Sequence, residues 1–399
     1  MIDRTIHKIG DICDQIRGVT YSKSDATLAP AAGFKPILRA NNIKDTGLTF
    51  DDLVYIPEEN IAAKQKLKAN DILIAASSGS IEVVGKAARL ISDFDGGFGA
   101  FCKVLRPNAK VDPSYFSHYF RTKGYRRRIS FLAAGANINN LRNEHLDDLE
   151  IVLPPLLEQR RIAAILDKAD ALRAKRREAI AKLDQLLQSV FLEMFGDETD
   201  ASVTVADIIA SATAMRTGPF GSQLLHSEFV DSGIAVLGID NAVSNKFAWG
   251  KPRYITEQKY AKLSRYRVLP GDVLITIMGT CGRCAVVPED IPLAINTKHL
   301  CCISLDRSKC EPEFLHSYFL MHPVARNYLE SRAKGAIMSG LNMGIIKELP
   351  ITLPTIERQR QFVSIKMQLR QQQEQSRFQL ARLEHLFAAI QDQAFSGTL

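Results

Sequence analysis

Apolar residues recur at helical spacing in two long stretches of the chain. In the first, no proline or glycine interrupts the sequence between Pro155 and Gly196. Because proline is tolerated in the first turn of a helix and glycine often ends one, this stretch predicts one helix of about 40 residues. A second stretch near the end of the chain has the same periodicity. The apolar stripe expected along the two helices comprises Ile162, Ile165, Leu172, Leu183, Leu186, Val190, Phe362, Ile365, Leu383, Leu386 and Ile390.

These two stretches match each other when the sequence is compared with itself at an offset of 200 residues. The segment 151–197 falls on 351–397 without a gap. Chance similarity of two amphipathic helices would align leucines, but it would not explain the other matches, which are Leu153-Pro154 with Leu353-Pro354, Gln159-Arg160 with Gln359-Arg360, and Phe195 with Phe395. The chain is therefore predicted to contain two copies of one unit of about 200 residues.

A helix of this length with one apolar stripe must bury that stripe, and the other copy is the obvious partner. We therefore predict that the two helices lie antiparallel as a coiled-coil-like strut. The alternative is a pair of unrelated surface helices on separate domains. The basic run Arg173–Arg177 is compatible with phosphate contacts, although a solvated helix face is the simpler interpretation.

The segments that precede the helices contain short apolar runs bounded by turn residues, which predicts strands. Examples are 71–75 and 101–105 in the first copy, and 273–276 and 300–304 in the second. An aromatic-rich segment that predicts a short helix follows in each copy. The expected fold class is α/β or α+β, with a mixed or antiparallel sheet. The expected division is into globular domains at 1–150 and 199–352 and helical regions at 151–198 and 353–399.

Composition and charge add modest constraints. The 399 residues are 46% hydrophobic and 24% charged, which is ordinary for a globular protein of two or three domains. Without a long apolar run or a signal peptide, we expect a cytoplasmic protein with no membrane partner. Seven cysteines without framework spacing fit a reducing compartment. The net charge of +7 is compatible with nucleic acid but does not demand it.

Polar turn clusters lie between the predicted strands and are candidates for binding DNA. Asn, Arg, Lys and Ser are side chains that read base edges and hold phosphates. For any single residue a surface loop is the simpler interpretation, so the case depends on clustering and repetition. In the first copy the candidates are Arg39, Asn41, Asn42, Ser77, Ser78, Lys86, Arg126, Arg127, Arg128, Asn137, Asn139, Asn140 and Arg142. In the second copy they are Thr217, Ser222, Asn241, Thr276, Lys298, His299, Arg332 and Lys334.

Motifs for chemistry on DNA are incomplete. Leu153-Pro154-Pro155-Leu156 lacks the polar and aromatic residues of an amino-methyltransferase motif. The glycine spacing before Gly85-Lys86-Ala87 is one residue too long for a phosphate loop, and Ala87 has no hydroxyl for Mg²⁺. Glu257-Gln258-Lys259 has a nuclease-like spacing without a convincing partner acid. No catalytic residue and no cofactor of this chain's own are therefore predicted.

One cysteine pair has the spacing of a metal or redox site. Cys281 and Cys284 form a CxxC, with His299, Cys301 and Cys302 downstream. The first copy has no cysteine at the equivalent positions. Cys301 and Cys302 lie within an apolar run that predicts a strand. Ordinary packing is therefore favoured over zinc or redox chemistry, and no metal ligand is predicted.

The order of variable domain, long helix, variable domain and long helix resembles that of type I restriction-modification specificity subunits, over essentially the whole chain. The matching segments are Asp272-Val273-Leu274-Ile275, Gly218-Pro219-Phe220-Gly221-Ser222 and the Leu-Pro-Pro-x-x-Glu-Gln-Arg-Arg-Ile entry at 153–162. The second helix entry departs from this pattern at Thr355 and Arg358.

The resemblance implies a subunit that recognises DNA without catalysis. Each variable domain would be a target recognition domain for one half of a split, asymmetric site in double-stranded DNA. The helices would set the spacing and dock two methylation subunits, through which restriction subunits would join. S-adenosylmethionine, ATP and Mg²⁺ would belong to those partners. Two alternatives remain from the residues alone: a free-standing DNA-binding regulator, and a nuclease with an unrecognised site.

Overall fold

The computed structural model describes residues 5–134, 140–198, 200–201, 203–333, 341–396 and 398. Contacts divide the chain into two compact units. Unit 1 comprises residues 1–179 and 376–399, and unit 2 comprises residues 180–375. Each unit therefore contains one globular part and a portion of both long helices. Among the described helices, none is long and apolar enough to cross a membrane.

Unit 1 contains two small sheets and two further pairs of strands. Its strands are β1 (Thr5–Lys8), β2 (Cys13–Arg17), β3 (Phe34–Leu38), β4 (Ile43–Lys44), β5 (Gly47–Leu48), β6 (Val54–Pro57), β7 (Ile72–Ala75), β8 (Ala87–Arg89), β9 (Gly97–Phe98), β10 (Cys102–Pro107) and β11 (Glu150–Leu153). The antiparallel sheet has the order β2-β10-β7-β8, and the mixed sheet has the order β6-β3-β9 with β3 and β9 parallel. Strand β1 pairs with β11, and β4 pairs with β5.

The helices of unit 1 follow β10, with β11 lying between α3 and α4. They are α1 (Pro113–Tyr119), α2 (Lys123–Ala134), α3 (Asn143–Asp147) and α4 (Leu156–Phe195), the last of which continues into unit 2. Asp112 caps α1 by accepting hydrogen bonds from the Ser114 and Tyr115 amides. The cap fixes the start of α1, which is the helix that contacts α4.

Unit 2 repeats this arrangement. Its strands are β12 (Val203–Thr204), β13 (Met215–Thr217), β14 (Ile234–Leu237), β15 (Tyr254–Ile255), β16 (Arg267–Val268), β17 (Val273–Thr276), β18 (Cys284–Val286), β19 (Ala294–Asn296), β20 (Leu300–Ile303) and β21 (Pro350–Ile351). The antiparallel sheet is β13-β20-β17-β18, and the mixed sheet is β15-β14-β19-β16 with β14 and β19 parallel. The helices are α5 (Glu257–Leu263), α6 (Pro312–Met321), α7 (Pro323–Ala333), α8 (Met343–Lys347) and α9 (Ile356–Ser396). The predicted fold class and internal repeat are confirmed.

The continuous apolar runs of β7 and β17 arise because each strand is covered on both faces. Ile72 and Ile74 face the core that contains the helices, whereas Leu73 faces a second core under the mixed sheet. In β17, Val273 and Ile275 face one core and Leu274 the other. A strand buried on both sides loses the usual alternation of polar and apolar residues.

Within each unit the two long helices run antiparallel, as predicted. In unit 1, Arg177 Nη2 lies 2.6 Å from Glu384 Oε1, and the Arg173 guanidinium lies 4.3 Å from the ring centre of Phe387. In unit 2, Gln373 Nε2 donates to Asp184 Oδ1 at 2.7 Å, while Phe191 packs on Phe362. As residue numbers fall along α4, those of its neighbours on α9 rise.

The predicted apolar stripe is only partly buried. Ile162 and Phe362 are buried, whereas Ile165, Leu183, Val190, Ile365, Leu383 and Ile390 are half-buried. Leu172, Leu186 and Leu386 are about half exposed, at 48%, 47% and 55%, so they lie outside the buried part of the stripe, and their predicted place in the strut or in subunit docking stays a prediction. Leu166, Leu187, Phe191, Phe387 and Ala394 are buried instead. The globular parts bury additional faces of the helices, and the spacing of apolar residues along the two helices does not predict which faces these are.

Candidate nucleic-acid interface

An open cleft of about 1050 Å³ lies in unit 1, where the loops after β2, β3 and β7 come together. Its lining includes four of the predicted DNA-binding residues, Arg39, Asn41, Ser77 and Ser78. Asn140 is close by, since it forms an isolated β-bridge with Ser77. Polar clusters far apart in sequence therefore meet at one surface of the unit.

Arg39 and Asn41 present donors that are loosely held in the cleft. Arg39 Nη2 donates to the Asp52 carbonyl oxygen at 2.7 Å and lies 3.3 Å from its carboxylate. Asn41 Nδ2 donates to the same carboxylate at 3.0 Å. The Asp52 side chain is 71% exposed. Because solvent-exposed ion pairs contribute little stability, a phosphate or base edge can replace Asp52 at small cost.

Asn42 has a different role, and its prediction as a DNA contact is wrong. It is buried, and its Oδ1 accepts from the Arg39 amide at 2.9 Å. Its Nδ2 donates to the carbonyls of Thr49 and Asp51. With all its polar atoms bonded inside the fold, Asn42 shapes the turn that carries Arg39 and Asn41 and leaves no group for DNA.

Asn241 does the same in unit 2, so its prediction is wrong for the same reason. Its Oδ1 accepts from the Gly238 amide at 2.8 Å, and its Nδ2 donates to the Ala248 carbonyl at 3.0 Å. The residue before Asn241 is Asp240, which pairs with Arg253. Unit 1 has the uncharged Asn41 at the position of Asp240. The two units therefore share a turn but present different groups from it.

Thr276 is also a structural residue, and its assignment to DNA binding is wrong. It is buried at the end of β17, where its Oγ1 accepts from the Arg283 amide at 2.9 Å and donates to the Thr280 carbonyl at 2.5 Å. It holds the turn 277–283 against the sheet. Its hydroxyl has no free hydrogen for a ligand.

The basic residues of unit 1 fall into two groups. Arg126 donates to the carbonyls of Glu82 and Val84, so it anchors that loop to α2. Lys86 pairs with the exposed Asp45, and Arg142 with Glu144. The remaining basic candidates of unit 1, Arg127 and Arg128, are exposed on α2. Asn137 and Asn139 lie outside the described residues.

In unit 2, Gly218 brings candidate segments together. A Cβ on Gly218 would lie 2.0 Å from the Asn296 carbonyl oxygen, so only glycine allows this close approach. The contact places Thr217, at the end of β13, against the segment that continues into Lys298 and His299. Gly18 makes the corresponding approach in unit 1, where a Cβ would lie 2.1 Å from the Gly99 carbonyl oxygen.

His299 lies beside Lys298 and is half-buried. Burial, followed by the positive charges of Lys298 and Arg253, lowers the pKa of His299 below its usual value. A neutral imidazole can donate from one nitrogen and accept at the other, which suits contact with a base edge. Ser222 and Arg332 are exposed in the same unit, while Lys334 lies outside the described residues.

Several cleft residues were missed from the sequence. Tyr21 and Lys23 line the cleft in the loop after β2, and Leu28 and Phe101 form large exposed apolar surfaces there. An aromatic and a lysine between two strands, in Val19-Thr20-Tyr21-Ser22-Lys23, were the available signal. Apolar side chains of this kind can contact the thymine methyl group.

Four cysteines of unit 2 pack as core residues, whereas Cys281 is half-buried. Cys284, Cys301 and Cys302 are buried, and they lie on β18 and β20 in the two cores of the unit. Burial raises the pKa of Cys301 to about 12, and burial together with the nearby Asp272 also raises the pKa of Cys302. A thiol held neutral in this way is a poor nucleophile and a poor metal ligand.

Each unit contains an antiparallel sheet, a mixed sheet and parts of the two long helices, so the chain is an internally duplicated α+β protein. The family described as type I restriction modification DNA specificity domain matches residues 1–182 and 233–384, and the chain belongs to this family. The resemblance predicted from the sequence is confirmed.

Relatives and a solved structure agree with this assignment. The chain is 32% identical to the type I restriction enzyme StySPI specificity subunit of Salmonella potsdam, over 98% of this chain and 88% of that protein. It is 29% identical to the EcoKI specificity subunit of Escherichia coli strain K12, over 99% and 89%. The S subunit of a type I restriction-modification system from M. genitalium shares the fold, with a TM-score of 0.58, 18% identity and coverage of 99% and 96%.

Proposed function

We propose that this chain is the DNA-specificity subunit of a type I restriction-modification system. The globular parts of the two units each read one half of a split, asymmetric site in double-stranded DNA. The observation that carries this proposal is that the two units share a turn but differ in the side chains beside it. Asn42 and Asn241 build the same turn, but the residues beside them differ. Arg39 and Asn41 line the cleft in unit 1, whereas in unit 2 Gly238 is buried and Asp240 pairs with Arg253.

That contrast argues for two different half-sites. Arginine and asparagine donate to purine edges, whereas in unit 2 both carboxylate oxygens of Asp240 accept within the fold, from Arg253 and from the Lys251 amide. Two globular parts that share a fold but present different hydrogen-bonding groups would select different bases. The recognised site is therefore expected to be asymmetric.

The modules proposed for this task are the target recognition domains 1–150 and 199–352 and the helical regions 151–198 and 353–399. The helices set the distance between the half-sites and dock two methylation subunits, with restriction subunits joined through these. The exposed apolar side chains of Leu172, Leu186, Leu386 and Phe378 support the docking role, since they lie uncovered on α4 and α9. S-adenosylmethionine, ATP and Mg²⁺ belong to the partner subunits, and this chain performs no catalysis.

The test is methylome sequencing of a host that expresses the chain with its methylation subunits. We expect adenine methylation at one bipartite, asymmetric motif. Replacing residues 1–150 by those of another family member should change one half of the motif and keep the other. If both halves change, or neither does, the modular proposal is wrong.

Two further measurements separate the components of the proposal. Inserting one helical turn at matched places in α4 and α9 should lengthen the gap in the motif and keep both halves. An unchanged gap would contradict the spacing role of the helices. A specificity subunit should co-purify with methylation subunits and require them for methylation, whereas a free-standing regulator would bind its site alone.

A further inference from the structure

In unit 1, α1 docks on the long helix α4 through acidic residues of α4. Asp167 Oδ1 lies 2.8 Å from His118 Nε2, and its Oδ2 accepts from Ser114 Oγ at 2.7 Å. One turn further along α4, both carboxylate oxygens of Asp170 accept from the guanidinium of Arg121. His118 and Ser114 are buried in this contact. The long helix supplies the negative charge here, and the globular part supplies the donors.

In unit 2, α6 docks on the long helix α9 with the opposite distribution of charge. Glu313 Oε2 lies 2.6 Å from Lys366 Nζ, and its Oε1 accepts from Arg370 Nη1 at 2.6 Å. Lys366 is 1% exposed and also donates to Ser317 Oγ at 2.7 Å. Here the long helix supplies the cations, and the globular part supplies the carboxylate.

The repeat places the two contacts at corresponding elements, with the charge of the long helix reversed at one matched position. At the offset of 200 residues, Asp170 corresponds to Arg370. The prolines that open α1 and α6 correspond to each other, so Ser114 occupies the place of Glu313. The loops that enter the two helices are held in the same way. Gln159 Oε1 accepts from the Asp112 amide in unit 1, and Gln359 Oε1 accepts from the Glu311 amide in unit 2.

Exchange of the globular parts would therefore bring Glu313, whose side chain is 13% exposed, close to the like charge of Asp167, whose side chain is 48% exposed. The carboxylate of Glu313 would take the place of Ser114 and face Asp167. Burial tends to raise the pKa of Glu313, but Lys366 and Arg370 outweigh it and lower the pKa to about 2. The group is fully ionised in its own unit. Away from those cations, it would be a buried charge without a partner, which is strongly unfavourable.

We propose that these two contacts form a charge-reversed key, which matches each globular part to its own long helix and prevents the two parts from exchanging positions. The key comprises Ser114, Arg121, Asp167 and Asp170 in unit 1, and Glu313, Lys366 and Arg370 in unit 2. The inference concerns pairing within the chain. It would therefore stand even if the proposed role in DNA recognition failed.

The first experiment places the charge of one unit in the other, within the full chain. Ser114→Glu should speed amide hydrogen exchange in α1 about tenfold relative to Ser114→Gln, since the two substituents have similar volume and only one faces Asp167 with a charge. In an Asp167→Asn background the two variants should exchange at equal rates. Equal rates with Asp167 present would overturn the proposal, as would a difference that persists without it.

The second experiment uses a chain in which residues 203–350 replace residues 5–150, so that both copies carry the globular part of unit 2. Limited proteolysis should cut the first copy about tenfold faster than the second, with fragment masses telling the copies apart. Converting the first long helix with Leu166→Lys, Asp167→Met and Asp170→Arg should equalise the two rates. Equal rates before conversion, or no improvement after it, would show that charge does not control placement.

Discussion

Gln159 and Gln359 make the same three hydrogen bonds in the two units. Gln159 Oε1 accepts from the Asp112 amide at 2.8 Å, and its Nε2 donates to the carbonyls of Lys110 and Pro154. Gln359 Oε1 accepts from the Glu311 amide at 2.9 Å, and its Nε2 donates to the carbonyls of Lys309 and Pro354. Each glutamine thus joins the start of a long helix to the loop that enters the short docking helix.

Gln159→Ala should therefore destabilise unit 1 by about 3 kcal/mol, because three backbone groups lose their partner in a buried site. The measurement is chemical denaturation of the full chain, followed by hydrogen exchange in α1. Arg160→Ala is the matched control, since Arg160 is the exposed neighbour in the same helical turn. A loss of stability no greater than that of Arg160→Ala would contradict the structural role of Gln159.

Asn41 and Asn42 should separate DNA binding from stability. Asn41→Ala removes an exposed donor in the cleft, so it should weaken binding of the cognate site by about 1–3 kcal/mol while leaving the thermal midpoint unchanged. Asn42→Ala removes the three hydrogen bonds that shape the turn and should lower the thermal midpoint. Both are measured on the complex with methylation subunits.

The result that would contradict this division is a stable Asn42→Ala variant with unchanged binding, or an Asn41→Ala variant that binds normally. Binding of non-cognate DNA is the internal control. A base contact should reduce the preference for the cognate site, whereas a phosphate contact should weaken binding to both kinds of DNA equally.

Gly18 and Gly79 provide a second matched pair on the cleft side of unit 1. Gly18→Ala would place a methyl group about 2.1 Å from the Gly99 carbonyl oxygen, which must force the loops after β2 and β9 apart. Nothing lies within 4 Å of a Cβ built on Gly79. We expect Gly18→Ala to destabilise unit 1 by roughly 1–3 kcal/mol and Gly79→Ala to leave stability unchanged. Equal denaturation midpoints for the two variants would disprove the close approach.

The sequence predicted what depends on local pattern or on repetition. The length of α4 followed from the uninterrupted stretch after Pro155, and strand β7 from its short apolar run bounded by turn residues. The equivalence of Gln159 and Gln359 followed from the fixed offset. Each of these features is determined by residues close together in the chain or by comparison of the two copies.

Features that depend on distant partners could not be predicted. Asn41 and Asn42 are chemically identical, and only the fold decides that one side chain points inward to Thr49 and Asp51. Leu172 and Leu186 fit the apolar stripe but are about half exposed. Whether a helix face is buried depends on where the globular parts dock, which the spacing does not show. The opposite charges of Asp170 and Arg370 could be interpreted only after their partners, Arg121 and Glu313, were known.

His316 should give unit 2 a specific sensitivity to acid. Its Nε2 donates to the Asn245 carbonyl at 2.9 Å, so its Nδ1 is the acceptor that faces Lys366 Nζ at 3.0 Å. This arrangement requires a neutral ring. Burial, followed by the positive charge of Lys366, lowers the pKa of His316 to about 3, with Glu313 opposing the shift and Arg370 adding to it.

Between pH 6.5 and 3 the unfolded chain therefore binds a proton at His316 that the folded chain does not. Stability should fall as the pH drops through this range, by at most about 1.4 kcal/mol per pH unit from this one group. Glu313 contributes only below pH 4.5, because its own pKa is lowered from 4.5 to about 2. His316→Gln should reduce the slope of unfolding free energy against pH between 6 and 5, and His385→Gln, at an exposed position of α9, should not. An unchanged slope in His316→Gln would mean that the ring is protonated in the folded chain, or that unit 2 does not limit its stability.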